Sequence, residues 1–396
     1  MNKGYGNSYV SKQDSKTRRI VYRLHHLGLY RLVAFCILSL SFAVFFSDIT
    51  EGEPAMSNER PIAVVSTKGK VGASSPVGVE TSNPPAKTSA RSTSTAAESS
   101  AVAIPPKPAW VNTPLFVDPN NTATQYALAN PSLTDIQYIA RMGQVPVAQW
   151  FGDWDTNVAS SVNTYVSSAN ASGTIPVVVL YNIPYRDCGG YSASGATSVS
   201  AYASWVQQVA AGIGSRNAVV IVEPDALAAI DCLSASDQSG RLQAIAGAVT
   251  TLKTLPHAYV YIDAGNPTWQ SAGTMATRLK TADIADADGF SLNISYFSGT
   301  SQNITYGDQL SKLVDNKHYV IDTSRNGGNH NVSGSQFNPT FASLGDLPTT
   351  QTGNDRVDAY LWIKIPWESD GPVNGGPNPG EPYWSYAIQL AKNAGW

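Results

Sequence analysis

From Trp110 to Trp396 short β-branched or aromatic runs alternate with longer stretches of helical periodicity. The short apolar runs predict strands over Val145–Phe151, Ile175–Tyr181, Ala218–Val222, Ala258–Asp263, Gly289–Tyr296, Tyr319–Thr323 and Ala359–Ile365. Amphipathic stretches lie between several of them. In Ser198–Ile213 the residues Tyr202, Trp205, Val206, Val209 and Ile213 recur at helical spacing, which gives one apolar face. The same reasoning predicts helices over Asp155–Ala171, Ser236–Leu255 and Ser271–Thr281. The stretch Asn326–Arg356 is rich in Gly, Asn and Thr and reads as a long loop.

About seven βα units in roughly 290 residues predict an α/β fold, a parallel barrel or a near-closed variant of one. A doubly wound open sheet is the alternative. The barrel is favoured because polar residues recur at or just past the strand ends: Asp153, Asp187, Asp225, Asp263, Asn293, Asp322 and the run Lys364–Asp370. A barrel gathers such ends on one face, whereas an open sheet spreads them along a line. Any one of them alone is more often a cap or turn residue.

Upstream the pattern changes. Lys3, Lys12, Lys16, Arg18, Arg19, Arg23 and Arg31 stand against Asp14, and an apolar run, LVAFCILSLSFAVFF, follows over residues 32–46. Residues 1–50 therefore read as a basic region with a signal peptide or an uncleaved anchor, its basic end in the cytoplasm. Either reading makes the remainder secreted, extracellular or periplasmic, and the second tethers it to a membrane. Residues 51–109 are a Ser/Thr/Ala/Pro-rich linker, too poor in large apolar groups to form a core, and residues 110–396 are the folded domain.

Composition narrows the partners. A net charge of −3 gives no basic bias towards nucleic acid. Charged residues make up only 14% of the chain, and the abundance of Trp, Tyr, Gly, Ser, Thr and Asn suits a neutral, hydroxyl-rich ligand. Cys36 lies in the apolar run, so Cys188 and Cys232 are left to form one disulfide in an oxidising compartment. So few cysteines and no paired-His motif give no basis for a metal site, and no sequence motif calls for a cofactor.

Carboxylates carry the chemistry that remains. In VVVLYNIPYRDCGGYSASG (177–195) Asp187 lies in a turn stiffened by Pro184, beside Arg186, with which a surface pair is the bland reading. In AVVIVEPDALA (218–228) an apolar run delivers Glu223 and Asp225 to a strand end; extended geometry would aim both carboxyls into one pocket, and a helix cap is the structural alternative. YIDAGNPTW (261–269) offers Asp263, and LWIKIPWESDG (361–371) offers Lys364, Glu368 and Asp370. Trp150, Trp154, Trp269, Trp362 and Trp367 are candidate stacking platforms for pyranose rings, about half of them expected to be structural. Hydrolysis of a glycosidic bond is the common chemistry that needs one protonated and one ionised carboxyl.

These motifs, in this order, resemble glycoside hydrolase family 6, the cellulases, over the region from about Pro114 to Trp396. YNIPYRDCGGYSASG and IVEPDAL look like its two signatures, and YIDAG, IDTSRNG and LWIKIPWESDG follow in the family's order. The resemblance implies a distorted, incompletely closed parallel β/α barrel and inverting hydrolysis of β-1,4-glucan (cellulose and cellooligosaccharides); a monomer is expected. Asp225 is similar to the general acid, Asp187 to the aspartate that supports its proton, and Asp370 to the base or electrostatic partner. Asp263 resembles a further acid of the cleft; Asn293 is a candidate substrate contact from its strand-end position alone. Tyr181, Ser192, Trp269, Lys364 and Glu368 match substrate-binding positions, Trp150 stays a platform candidate on residue type and place alone, and Cys188–Cys232 matches the first disulfide.

There are departures. The family's second disulfide has no counterpart, since Ser369 and Gly371 flank Asp370 and Asn326–Thr352 holds no cysteine. Asn266 stands where a histidine is usual, and Trp367, where glycine is usual, could add a platform. The compact C-terminal part implies an open cleft and endo action. An exo-acting cellobiohydrolase and a non-catalytic glucan-binding protein are the other readings.

Overall fold

The computed structural model describes residues 103–328, 330, 332, 334 and 336–396. The apolar segment at 32–46 and the linker up to residue 102 lie outside the described residues. The final linker positions do not: Pro105 and Lys107 bond to the body, the Lys107 ammonium donating to the Val357 carbonyl at 2.6 Å. The packed body thus takes in residues that composition alone assigns to the linker.

Seven parallel strands run in sequential order: β1 (Gln149–Gly152), β2 (Val177–Tyr181), β3 (Ala218–Val222), β4 (Ala258–Asp263), β5 (Gly289–Leu292), β6 (His318–Asp322) and β7 (Val357–Leu361). A doubly wound sheet would reverse its order at a switch point, and this one does not. The ladder ends at β7, and the gap back to β1 is crossed by the Ala148 amide on the Trp362 carbonyl (3.0 Å) and by Trp150 Nε1 on the Ile363 carbonyl (2.8 Å). The fold is a distorted, incompletely closed parallel β/α barrel.

Two cores follow from strand alternation. Val177, Val179, Val219, Ile221, Val320 and Ala359 face the barrel interior, closed underneath by Trp110. Val178, Leu180, Val220 and Val222 face outward onto helices, which is why these strands read as unbroken apolar runs. The helices are α1 (Thr122–Ala129), α2 (Ile136–Met142), α3 (Val158–Ala171), α4 (Val199–Ile213), α5 (Ala235–Lys253), α6 (Ala272–Thr281), α7 (Thr300–Leu313) and α8 (Trp384–Asn393). Ser198, Ser234 and Ser271 cap α4, α5 and α6 by accepting amides three residues on, which fixes those starts.

Strands β3 and β4 coincide with their predicted runs, whereas β5 and β7 are shorter, because Gly289–Tyr296 and Ala359–Ile365 leave the sheet after Leu292 and Leu361. The rest of each run turns into the site.

Candidate active site

At the end of β3 the backbone leaves extended geometry. Glu223 (φ 52°) and Asp225 (φ 70°) are both left-handed, and the turn separates the two carboxyls that an extended chain would pair. Glu223 is 1% exposed and accepts the amides of Asn182 and Ile183 at 3.0 Å, bracketing the end of β2. The expected pocket shared by Glu223 and Asp225 is therefore corrected. Asp225 instead shares its surroundings with Asp263, Asp187 and Asp370. Its own amide donates to Asp263 Oδ2 at 2.9 Å. Burial, then the charges of Asp263, Asp187 and Asp370, push the Asp225 carboxyl well above the ordinary range.

Asp263 is 1% exposed, and burial raises it to about 7 although the amides of Asp225 and Gly265 oppose the shift. It lies beneath Asp225.

The segment after β2 is a tight loop with Tyr185 (φ 57°), Asp187 (φ 58°) and Cys188 (φ 50°) left-handed. Asp187 Oδ2 accepts the Ser192 amide at 2.7 Å, and Cys188 is disulfide-bonded to Cys232, beyond the Asp225 turn. Arg186 does not pair with Asp187, contrary to the simplest reading. It is 6% exposed and bonds Asp153 Oδ1 (2.7 Å), the Tyr181 carbonyl (2.7 Å) and the Ser192 carbonyl (2.8 Å). Ser194 closes the loop on the other oxygen of Asp153. Gly195 (φ 105°) permits this closure, because a Cβ there would sit 2.1 Å from the Ile183 carbonyl oxygen.

Across the barrel mouth Asp370 is held by opposite charge. Its Oδ2 accepts Arg325 Nη1 at 2.7 Å and the Asn338 amide at 3.0 Å, and Lys364 Nζ lies 3.8 Å from Oδ1. Burial works to raise this carboxyl, but Arg325 and then Lys364 outweigh it and hold Asp370 below the usual range. Burial lowers Lys364 and raises Glu368, whose Oε2 lies 4.0 Å from Lys364 Nζ. Tyr191 meets Phe337 edge-on at 5.2 Å and covers Gly371, so the Asp187 and Asp370 loops touch.

Aromatic placement separates platforms from core. Trp269 is 43% and Trp154 53% exposed, and Trp150 is half-buried, edge-on to Tyr181 at 5.1 Å. Trp367, expected to add a platform, is 1% exposed, packs among apolar residues of α1, α2 and α8 and donates to Thr122 at 2.7 Å; it is a core residue, as is Trp362. Asn293 is likewise corrected. It is fully buried, donates to the Asp322 carbonyl (3.0 Å) and accepts the Ser298 amide (3.2 Å), so it shapes the turn after β5. Asn266, also buried, accepts the amide and hydroxyl of Thr268 and holds the Trp269 turn.

The model of the glycosyl hydrolases family 6 matches residues 107–394. The chain belongs to that family. It is 40% identical over 290 residues to endoglucanase A of Thermobispora bispora, covering 72% of this chain and 63% of that protein. The match thus spans less than two thirds of that relative's own length. Endoglucanase 1 of Streptomyces halstedii is 39% identical over 272 residues, with 67% and 83% covered. Among solved structures, the endoglucanase Cel6 of Mycobacterium tuberculosis, in complex with methyl-cellobiosyl-4-deoxy-4-thio-β-D-cellobioside, superposes with a TM-score of 0.70 at 42% identity, covering 72% of this chain and 99% of that one.

Within this family 6 domain the structure adds residues that sequence reasoning passed over. Arg325 lies in the IDTSRNG motif, and an arginine just past a strand end is the signal the sequence offers; its burial is seen only in the structure. Asp153 was noted only as a strand-end residue. Asn338 carried no local signal in a Gly/Asn-rich loop, and only tertiary contact reveals it.

Proposed function

We propose that this family 6 chain hydrolyses internal β-1,4-glucosidic bonds of cellulose and related β-glucans, with inversion at the anomeric carbon. One observation carries the reading: within a single group of carboxyls, Asp225 is pushed up and Asp370 is held down. Environments that drive two carboxyls apart set the acid and the ionised partner.

Asp225, whose carboxyl burial and the neighbouring charges push up, gives its proton to the leaving glycosidic oxygen. A water enters from the opposite face of the sugar, which requires acid and partner carboxyls about 6.5–9.5 Å apart. The water's proton passes towards Asp187 and Ser192. Asp370, bonded to Arg325 and beside Lys364, is better suited to stabilise positive charge on the sugar ring than to take a proton, because both cations favour its ionised form. Asp263 acts through Asp225 as a positioning residue. Tyr181, Trp150 and Trp269 offer aromatic surface to the sugar rings, while Lys364 and Glu368 offer polar contacts to hydroxyls. The exposure of Trp269 suits an open cleft.

The names of the relatives support endo action. The basic region and apolar run at the N-terminus support export, with or without a membrane tether. Among the described residues no helix is long and apolar enough to cross a membrane.

The test is product analysis on cellopentaose with the first anomer followed by NMR, together with viscosity loss of a soluble cellulose derivative. The expected result is the α-anomer and a sharp early viscosity drop. Retention of the β-configuration rejects the mechanism, and slow viscosity loss per reducing end formed rejects endo action.

A further inference from the structure

Helix α5 buries one charged residue in its apolar stripe: Arg241 stands in line with Ala244, Ile245, Ala248, Val249 and Leu252 and is 3% exposed. A guanidinium is costly there unless its charge finds a partner and its donors acceptors; Nε has none, so the two terminal nitrogens carry the bonding. Glu223, also buried, supplies the countercharge. The donors reach two different segments. Nη2 bonds the carbonyls of Pro184 (2.9 Å) and Tyr185 (2.7 Å), and Nη1 bonds the carbonyl of Ala226 (3.3 Å). Tyr185 lies two residues before Asp187, and Ala226 directly follows Asp225.

We infer that Arg241 is a positioning residue for the reaction, a clamp whose planar fork fixes the Asp187 loop against the Asp225 turn and so sets how the two aspartates face each other. Both segments run through left-handed backbone, at Tyr185, Asp187 and Cys188 and at Glu223 and Asp225. Such conformations persist only where the surroundings over-determine them. The Cys188–Cys232 disulfide is one restraint, and Arg241 is the second. Arg278 provides the contrast: its bonds go to Leu227, Ala228 and Asp231, all on the Asp225 side. Lysine cannot take the place of Arg241, because a point-like ammonium lacks the rigid fork that reaches both segments together.

The inference rests on the reading of Asp225 as the acid. The experiment measures kcat, KM and the pH profile on a soluble cellooligosaccharide for R241K in the full chain, well below its melting temperature. R216K is the control, since Arg216 bonds Ile213 and Asn163 away from the site. The expected result is a loss of kcat on the order of 10- to 100-fold with little change in KM. The alkaline limb of the R241K profile moves to lower pH, because the charge of Asp187 is no longer held beside the Asp225 carboxyl. R216K keeps both. Should R241K not fold, the neutral pair R241Q/E223Q is read by the same criterion against E223Q alone, since Glu223 also holds the amides of Asn182 and Ile183. A folded clamp variant with unchanged kcat and an unmoved limb overturns the inference. Full turnover by D225N would instead sink the acid assignment, so the two failures are distinguishable.

Discussion

The amide of Asp225 donates to Oδ2 of Asp263 at 2.9 Å, so the Asp225 turn is held through its own backbone by a second, deeper carboxyl. The same oxygen accepts the Gly265 amide at 3.1 Å, and Oδ1 accepts the Ser291 hydroxyl at 3.3 Å. Asp263 is therefore bound on several sides by protein. Its charge, after burial, is what raises the Asp225 carboxyl most.

Replacing Asp263 by Asn keeps an acceptor for the Asp225 amide but removes the charge that raises Asp225. The Asp225 carboxyl then ionises at lower pH. Activity falls as pH rises through that ionisation, so the alkaline limb of kcat/KM should shift to lower pH by about one unit or more. A pH profile of D263N against wild type checks this, and an unmoved limb would mean that Asp263 is not coupled to the acid.

Asn338 ties the long loop to the Asp370 segment. Its Oδ1 accepts the Asp370 amide (2.9 Å), and its Nδ2 donates to the carbonyls of Gly371 (2.9 Å) and Val373 (3.0 Å). These bonds lie beside Ser369 and Gly371, the positions that lack the family's second disulfide. Asn338 has a φ of 44°, so glycine isolates the side-chain effect without adding backbone strain. N338G should lose about 2 kcal/mol and roughly 3 °C of Tm, because it strands buried polar groups. Its kcat should fall as Asp370 loosens. Thermal melts and kinetics of N338G are the check.

Legibility in the sequence followed burial. Strand runs such as Val177–Tyr181 and Ala218–Val222 are apolar on both faces and could be read directly. Helix α7 was not foreseen, because its inner face is Asn303, Tyr306, Gly307, Leu310 and Ser311, largely polar or small, so no apolar stripe marks it. The acidic residues at the strand ends were visible, but what each carboxyl touches was not. Left-handed turns at Glu223 and Asp225 decide that, and spacing in an extended chain gives the opposite answer. Trp367 shows the same limit: a tryptophan beside a catalytic motif resembles a platform until its burial is seen.

At the foot of the barrel His318 Nδ1 is 2.8 Å from Asp358 Oδ1, and its Nε2 is 2.8 Å from the Pro105 carbonyl. Both nitrogens face acceptors, which only the doubly protonated ring satisfies. Burial alone would lower this histidine, but the hydrogen bond and charge of Asp358, with the Pro105 carbonyl, raise it. The folded value lies above the ordinary 6.5, so the stabilisation is complete below about pH 6.5 and is lost as pH rises through the folded value. Urea midpoints should fall between pH 6 and pH 9 more steeply in wild type than in H318Q. Equal slopes would remove His318 as the cause.

The central claim is that Asp225 is the general acid, and a leaving group that needs no proton isolates that role. The decisive measurement compares D225A with wild type on cellopentaose and on a dinitrophenyl cellooligosaccharide. The expected result is a loss on the order of 10²–10⁴-fold or more on cellopentaose, with most of the rate kept on the activated substrate. Near-normal turnover of cellopentaose, or equal losses on both substrates, would contradict it.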